Sequence, residues 1–300
     1  MADWLRLRQL LIMVLQRTAP HPGKLDALRD IIKGYGSVLV AYSGGVDSSF
    51  LVAVVHDVLP AGNLAVTARS PSLTPTDLAQ AVEQAAQLGW RHCVINTMEL
   101  EDPRYLANNS RRCFFCKTEL YTKLKGIAAA EDLDEIANGS NVDDLNDYRP
   151  GLDAARQFGV RSPLVEAGMT KDDIRSFARD LGLRTWDKPA QSCLSSRVPY
   201  GSEISIEALN QIAQAEDSLR NMGFRRVRVR HHGKVARIEI PVEDIQRMAE
   251  PHVRREVNER LKASGYVYVA LDLTGFRSGS MNDTLAPSLR SRHMRASSET

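Results

Sequence analysis

The fold class is set more firmly by residues 38–58 than by any other stretch. Val38-Leu39-Val40-Ala41-Tyr42 is a short apolar run between glycines, the pattern of a buried strand. It passes directly into Ser43-Gly44-Gly45-Val46-Asp47-Ser48 and then into an apolar helix reaching about Val58. A turn of this kind points backbone N–H groups and a helix N-terminus at an anion, and the paired glycines remove side chains that would block close approach. Ser43 and Ser48 can donate hydroxyls to phosphate, and Asp47 can hold Mg²⁺ against it. The string is neither GxxxxGK[ST] nor GxGxxG, which counts against a P-loop phosphotransferase and a Rossmann dehydrogenase. A plain strand-to-helix turn with a Ser or Asp cap is the bland alternative, but it does not require so many of these residues together.

Further strands fit Leu64–Thr67, His92–Ile95 and Leu133–Ala137. Helices fit Asp77–Leu88, with Thr76 as N-cap, and a segment from near Lys117 past Ile127. This alternation predicts an α/β fold, a parallel sheet with helices on both faces. Another helix is expected over Lys171–Leu181, capped by Thr170. The pattern changes after Tyr200-Gly201. A helix over Ile206–Met222 leads to the strict alternation Arg226-Val227-Arg228-Val229-Arg230, and Val235–Ile240 returns as a second strand. A helical region over Val242–Leu261, interrupted near Pro251, precedes a third strand over Tyr266–Leu271. The expected division is an amphipathic helical extension over 1–24, a nucleotide-binding domain over 25–200, a smaller C-terminal α+β domain over 201–277, and a tail over 278–300 rich in Ser and Arg.

With 39 basic and 37 acidic residues the net charge is +2, so no strongly basic or acidic whole-protein surface is expected. The apolar stretch Leu10–Leu15 is far shorter than a membrane span, and no signal peptide is evident. Four cysteines are too few for a disulfide scaffold and favour a reducing cytoplasm.

The SGGVDS loop resembles the PP-loop of ATP pyrophosphatases. That resemblance implies a parallel sheet of the adenine nucleotide alpha hydrolase-like type, and ATP cleaved between its α- and β-phosphates as AMP is transferred to a substrate oxygen. It also implies adenine lying near Ala41, Thr67, Arg69 and Ser70. After the fourth strand, Asn138-Gly139 leads into Asp143, Asp144 and Asp147, a glycine turn with carboxylates that can orient metal and pyrophosphate. Some of these acids are equally well read as solvated loop residues.

Arg112-Cys113-Phe114-Phe115-Cys116-Lys117 opens a helix, where the helix N-terminus and adjacent cations favour thiolate. CxxC alone supports a redox disulfide, half a zinc site, part of an iron–sulfur cluster or core filling. A third candidate, Cys193, stands in the loop Pro189–Gly201, whereas Cys93, on an apolar strand, reads as buried and inert. Three thiolates with one open iron suit a [4Fe–4S] cluster that binds an exogenous sulfur. Lys188 and Arg197 flank Cys193 and either stabilise thiolate and developing negative charge or are ordinary solvated charges.

Taken together, SGGVDS, RCFFCK, NGSNVDDLNDYRPG, GVRSPLVEAGMTKDDIR, WDKPAQSCLSSRVPYG and TGFRSGSMN resemble the LarE family over roughly residues 25–285. LarE proteins are ATP-dependent sulfur transferases of nickel-pincer nucleotide cofactor biosynthesis, which serves lactate racemase maturation. The resemblance implies a pyridinium-3,5-dicarboxylate mononucleotide substrate, adenylation of a carboxylate, and thiocarboxylate formation through Cys193. It further implies a [4Fe–4S] cluster on Cys113, Cys116 and Cys193, or alternatively sacrifice of Cys193 itself as dehydroalanine. A homo-oligomer, up to a hexamer, and hand-off to a nickel-inserting enzyme are implied as well.

Arg226, Arg228 and Arg230 share one strand face, and Arg237 and Glu239 share a face on the returning strand. This is either a solvated hairpin face with a cross-strand ion pair or a phosphate-binding face. The LarE resemblance favours the mononucleotide's phosphate, with Arg228, Arg230 and Arg237 as its ligands. The rival reading is a PP-loop tRNA-thiolating enzyme. The chain lacks the basic excess and the aromatics interleaved with arginine that RNA binding would call for, so no nucleic acid and no membrane partner are expected.

Overall fold

The computed structural model describes residues 22–146, 148–189 and 192–277, together with Ser280 and Asp283. The expected N-terminal amphipathic helix, Asp147 and most of the C-terminal tail lie outside the described residues. The chain opens with α1 (Pro22–Lys33), β1 (Val38–Ala41), α2 (Val46–Val58), β2 (Asn63–Arg69), α3 (Pro75–Gln87) and β3 (His92–Asn96). After a short helix α4 (Pro103–Leu106), α5 (Arg112–Ala130) leads to β4 (Glu135–Asn138). The four strands are parallel in the order β3-β2-β1-β4. Strand order reverses at β1, whose register sets Ala41 between Val66 and Asn138, so the crevice beyond its carboxyl end is where a doubly wound sheet takes ligands.

β1 alternates between two cores, as a central parallel strand must. Val38 and Val40 pack with Leu28, Ile32, Phe50, Ile174 and Phe177, while Leu39 packs with Leu120, Leu124, Ile136 and Ala154 on the other face. The rings of Phe50 and Phe177 stack at 6.0 Å. The first core is closed by α7 (Pro163–Glu166) and α8 (Lys171–Asp180), the second by α5 and α6 (Pro150–Phe158). A full capping box starts α8: Thr170 accepts from the Asp173 N–H, and the Asp173 carboxylate accepts from the Thr170 N–H.

Some boundaries differ from the sequence reading. The N-cap of α3 is Thr74, not Thr76: Thr74 Oγ1 accepts from Asp77 N at 3.0 Å, and Pro75 fits the first helical position because its missing N–H is not needed there. The CxxC helix begins at Arg112, so both cysteines lie inside its first two turns.

The C-terminal region comprises α9 (Ile206–Asn221), β5 (Arg228–His232), β6 (Val235–Glu239), α10 (Ile245–Ala249), α11 (Pro251–Ala263) and β7 (Tyr268–Leu271). Its sheet runs β5-β6-β7, antiparallel then parallel. Leu219, Phe224, Val229, Ile238, Ile240 and Leu261 form its core. The fold is therefore α/β in the first region and α+β in the second, as expected. Among the described residues no helix is long and apolar enough to cross a membrane.

Candidate functional site

The loop after β1 is held open by its own hydroxyls. Ser43 N donates to Ser48 Oγ at 3.1 Å, the two hydroxyls lie 3.0 Å apart, and Ser48 Oγ also reaches Gly45 O at 3.2 Å. Gly45 caps α2 without a side-chain hydrogen bond, and the Ser43 hydroxyl accepts from its N–H at 3.4 Å, so the positive end of that helix carries no N-cap side chain. Two glycines are sterically required. Gly44 has φ +72°, and a Cβ there would meet Ala81 Cβ at 2.8 Å; a Cβ on Gly139 would meet Ser48 N at 2.8 Å. The turn after β4 thus packs directly against the start of α2.

Asp47 projects toward the same crevice. Its carboxylate pairs closely with Lys171 Nζ, and Asn141 Nδ2 approaches it at 3.4 Å. Lys171 N donates to Asp143 Oδ2 at 2.7 Å. Burial raises the Asp144 carboxyl above its ordinary range, against the pull of Arg149. Mg²⁺ is usually held by one or two carboxylates plus substrate phosphates, so these hard oxygen donors fit it without a full protein cage. Where the sequence resemblance implies adenine, Thr67 Oγ1 lies 2.9 Å from His92 Nε2, Ser70 Oγ donates to Glu99, and Arg69 is exposed.

Sequence position sets Lys188 beside Cys193, but its ammonium goes elsewhere. Lys188 Nζ donates to Gly44 O at 3.4 Å, Asp77 Oδ1 at 3.2 Å and Gln80 Oε1 at 3.0 Å, joining the Cys193 loop to the phosphate loop. Arg197 is neither solvated nor free. It is buried, pairs bidentately with Glu216 at 2.8 and 3.1 Å, and donates to the carbonyls of Ser192 and Cys193. That guanidinium shapes the turn around Cys193.

Cys193 is exposed, whereas Cys113 and Cys116 are half-buried. Cys193 is near enough to Cys113 and Cys116 to raise their thiols, and Cys116 packs on the apolar cluster that contains Leu194. The expectation of thiolates at the helix start is corrected: burial outweighs Arg112 and Lys117 and pushes both the Cys113 and Cys116 thiols up. Among the described residues no group of three or more His, Cys, Asp or Glu side chains is arranged to hold a metal ion. The three cysteines are neighbours that do not close into a ligand set as placed. Cys93 is half-buried on β3, and burial raises its thiol too.

The arginine hairpin also departs from a solvated face. Arg230 is 1% exposed, forks onto Glu239 at 2.9 and 2.8 Å, and donates to Ser196 O at 2.7 Å. Arg237 pairs with Glu239 and Asp272. Arg228 differs from both. It is 6% exposed, lies 4.3 Å over the Phe276 ring, donates to Arg277 O, and has no carboxylate partner among the described residues. Burial, with Arg197 and Arg230 nearby, pushes its guanidinium down to about 10.

Lys171 and Asn141 were missed by sequence reasoning. The available signal was the Thr-Lys-Asp-Asp start of α8, where a lysine at a helix N-terminus opposes the dipole and so asks for a local reason.

No protein-family model matches the chain. An uncharacterized protein of Synechocystis sp. is 45% identical over 262 residues, 87% of this chain and 98% of the relative. The pyridinium-3,5-bisthiocarboxylic acid mononucleotide synthase of Lactiplantibacillus plantarum is 40% identical over 260 residues, 86% of this chain and 92% of that protein. An uncharacterized protein of Methanocaldococcus jannaschii is 29% identical over 241 residues, 80% of this chain and 91% of the relative. With the phosphate loop, the paired cysteines and the Cys193 turn all inside the aligned length, the chain belongs to the LarE family of pyridinium-3,5-bisthiocarboxylic acid mononucleotide synthases.

Proposed function

We propose that this chain is an ATP-dependent sulfur transferase that converts a carboxylate of a pyridinium-3,5-dicarboxylate mononucleotide to a thiocarboxylate in the cytoplasm. The observation that carries the reading is Lys188, five residues before Cys193 and bonded to Gly44 O of the phosphate loop. That contact supports a crevice in which ATP chemistry and thiol chemistry meet.

Ser43, Gly44, Gly45 and Ser48 hold the departing pyrophosphate, with Ala41, Thr67, Arg69 and Ser70 around the adenosine and Gly139 and Asp143 closing the far side. Mg²⁺ at Asp47 would neutralise the phosphate oxygens. The substrate carboxylate attacks the α-phosphorus, the α–β bridging P–O bond breaks, and pyrophosphate leaves. The acyl-adenylate is then an electrophile that Cys193 sulfur can attack, expelling AMP and giving a thioester while the thiol proton passes to solvent. Lys188 and Lys171 supply positive charge beside these phosphates.

The domain over 25–200 carries this chemistry in the proposal. The domain over 201–277 binds the mononucleotide's phosphate and contributes to a homo-oligomer, and product passes to a nickel-inserting enzyme. Arg228 is the leading phosphate ligand, since Arg230 and Arg237 are already paired. The proposal extends to a [4Fe–4S] cluster on Cys113, Cys116 and Cys193, where it would supply an open iron for exogenous sulfur. Support for that part is chemical, from the neighbouring thiols, and it requires side-chain movement to close the set.

Asp47→Ala tests the ATP step. With intact circular dichroism and melting, the variant should lose AMP and pyrophosphate formation in the presence of the dicarboxylate. ADP and orthophosphate as the wild-type products would reject the reading.

A further inference from the structure

We infer that Tyr105 is a positioning residue for Cys193, acting through a buried ring of three hydroxyls; this rests on the reading of Cys193 as the acyl acceptor. Ser72 follows β2, Tyr105 lies on α4 and Ser195 lies two residues after Cys193. Their hydroxyl oxygens are 2.8 Å (Ser72 to Tyr105), 2.6 Å (Ser72 to Ser195) and 2.5 Å (Tyr105 to Ser195) apart. All three residues are at most 3% exposed. Each hydroxyl can donate once and accept, so a closed ring satisfies three buried polar groups that have no other partner among the described residues.

The rest of the turn is pinned from the same side. Leu194 N donates to Ser72 O at 2.9 Å. Asn108, in a left-handed conformation with φ +47°, donates to Pro199 O and Ser202 O at 2.8 Å. Arg112, on the CxxC helix, donates to Asn108 Oδ1 at 2.6 Å and to Ser195 O at 2.8 Å. The carbonyl of Cys193 accepts from Ser196 N at 3.0 Å and from Arg197. Cys193 is thus an exposed thiol on a backbone fixed from residue 194 onward. Such an arrangement keeps a nucleophile accessible while its angle of attack on a bound acyl group is held. The hydroxyl ring is what ties the turn to the sheet side of the site, and Tyr105 is its only aromatic member, locked in the apolar cluster with Leu194, Val198 and Ile204.

The test uses the full chain with Tyr105→Phe, which keeps the ring packing and removes one hydroxyl, and Ser72→Ala as a second variant. Three readouts are taken: ATP–pyrophosphate exchange dependent on the dicarboxylate, thiocarboxylate formation, and amide hydrogen exchange over residues 193–198 of the ligand-free chain. Expected are exchange of pyrophosphate within about twofold of wild type, thiocarboxylate formation lower by roughly ten- to a hundredfold, and faster amide exchange confined to that turn. Equal loss of both half-reactions, or wild-type rates in both, overturns the assignment, as does unchanged amide exchange. A wild-type chain that forms no thiocarboxylate would sink the proposed function instead, and the amide measurement would still decide whether the ring holds the turn.

Discussion

Arg228 and Arg230 stand two residues apart on one strand, yet their surroundings assign them different work. Arg230 and Glu239 pair in a site closed to water, and removing Arg230 leaves Glu239 with Arg237 as its remaining ion-pair partner among the described residues. Arg230→Gln is expected to destabilise the chain by about 1–3 kcal/mol, visible as a lower melting temperature before any ligand is added. Among the described residues Arg228 has only a carbonyl and an aromatic face in direct contact, with Glu239 and Glu216 acting from further off, which leaves its guanidinium free to take an anion in the proposal. Arg228→Gln should leave melting nearly unchanged and weaken binding of the mononucleotide. A charge-assisted hydrogen bond worth roughly 1.5–3 kcal/mol corresponds to about 13- to 160-fold in Kd. Titration calorimetry with the mononucleotide and separately with ATP checks this; equal weakening of both ligands would count against Arg228 as the phosphate ligand.

At the scale of elements, the shape of the loop after β1 depends on the turn after β4 meeting the start of α2 at Gly139, where there is no room for a Cβ. Gly139→Ala should push Ser48 and Asp47 aside, since its Cβ would contact backbone and not a flexible side chain. Overpacking of this kind costs about 1–3 kcal/mol, read as weaker ATP binding with a small drop in melting temperature. Gly126→Ala, whose Cβ would meet nothing within 4 Å, is the matched control and should not weaken ATP binding. β1, its loop and α2 were legible in the sequence because their information is local: an apolar strand, glycines at a turn and an apolar helix follow one another within about twenty residues. The α6 and α7 helices were not, because both are short and begin with proline after a loop, where periodicity has too few residues to register. Lys171 reaches Asp47 across 124 positions, and Lys188 turns toward Gly44 instead of Cys193. Contacts of that range depend on strand order, which no local pattern reports. Burial of the CxxC thiols was hidden for the same reason, and it reversed the sign expected from helix position and neighbouring charge.

For the whole molecule, two measurements follow from how the parts share one fold. His92, His231 and His232 all have their pKa lowered from the ordinary 6.5, chiefly by burial. The unfolded chain therefore binds protons below 6.5 that the folded chain refuses until lower pH, so stability is complete above 6.5 and falls as pH drops below it. Melting temperature against pH should decline from there, well before the lowered carboxyls of Asp102, Asp173 and Asp272 begin to protonate below 3.8. The second measurement asks whether the molecule is a catalyst or a reagent. If Cys113, Cys116 and Cys193 close around a cluster, anaerobic reconstitution should bind about four irons and four labile sulfides per chain. Replacing any of the three should lose it, replacing Cys93 should not, and product should accumulate over many cycles when sulfide is supplied. If instead the thioester on Cys193 breaks at its Cβ–S bond, the Cα proton leaves, the thiocarboxylate departs with the cysteine's sulfur, and dehydroalanine remains at position 193. Intact-protein mass after one incubation then shows loss of the elements of H₂S, one product per chain and no dependence on Cys113 or Cys116, whereas oxidation of a thiol would raise the mass. The cluster assignment stands only if the mass at 193 is unchanged while product exceeds the number of chains. The burial that raises the Cys113 and Cys116 thiols gives the reconstitution its direction: iron must displace protons from both, so cluster assembly should slow as pH is lowered.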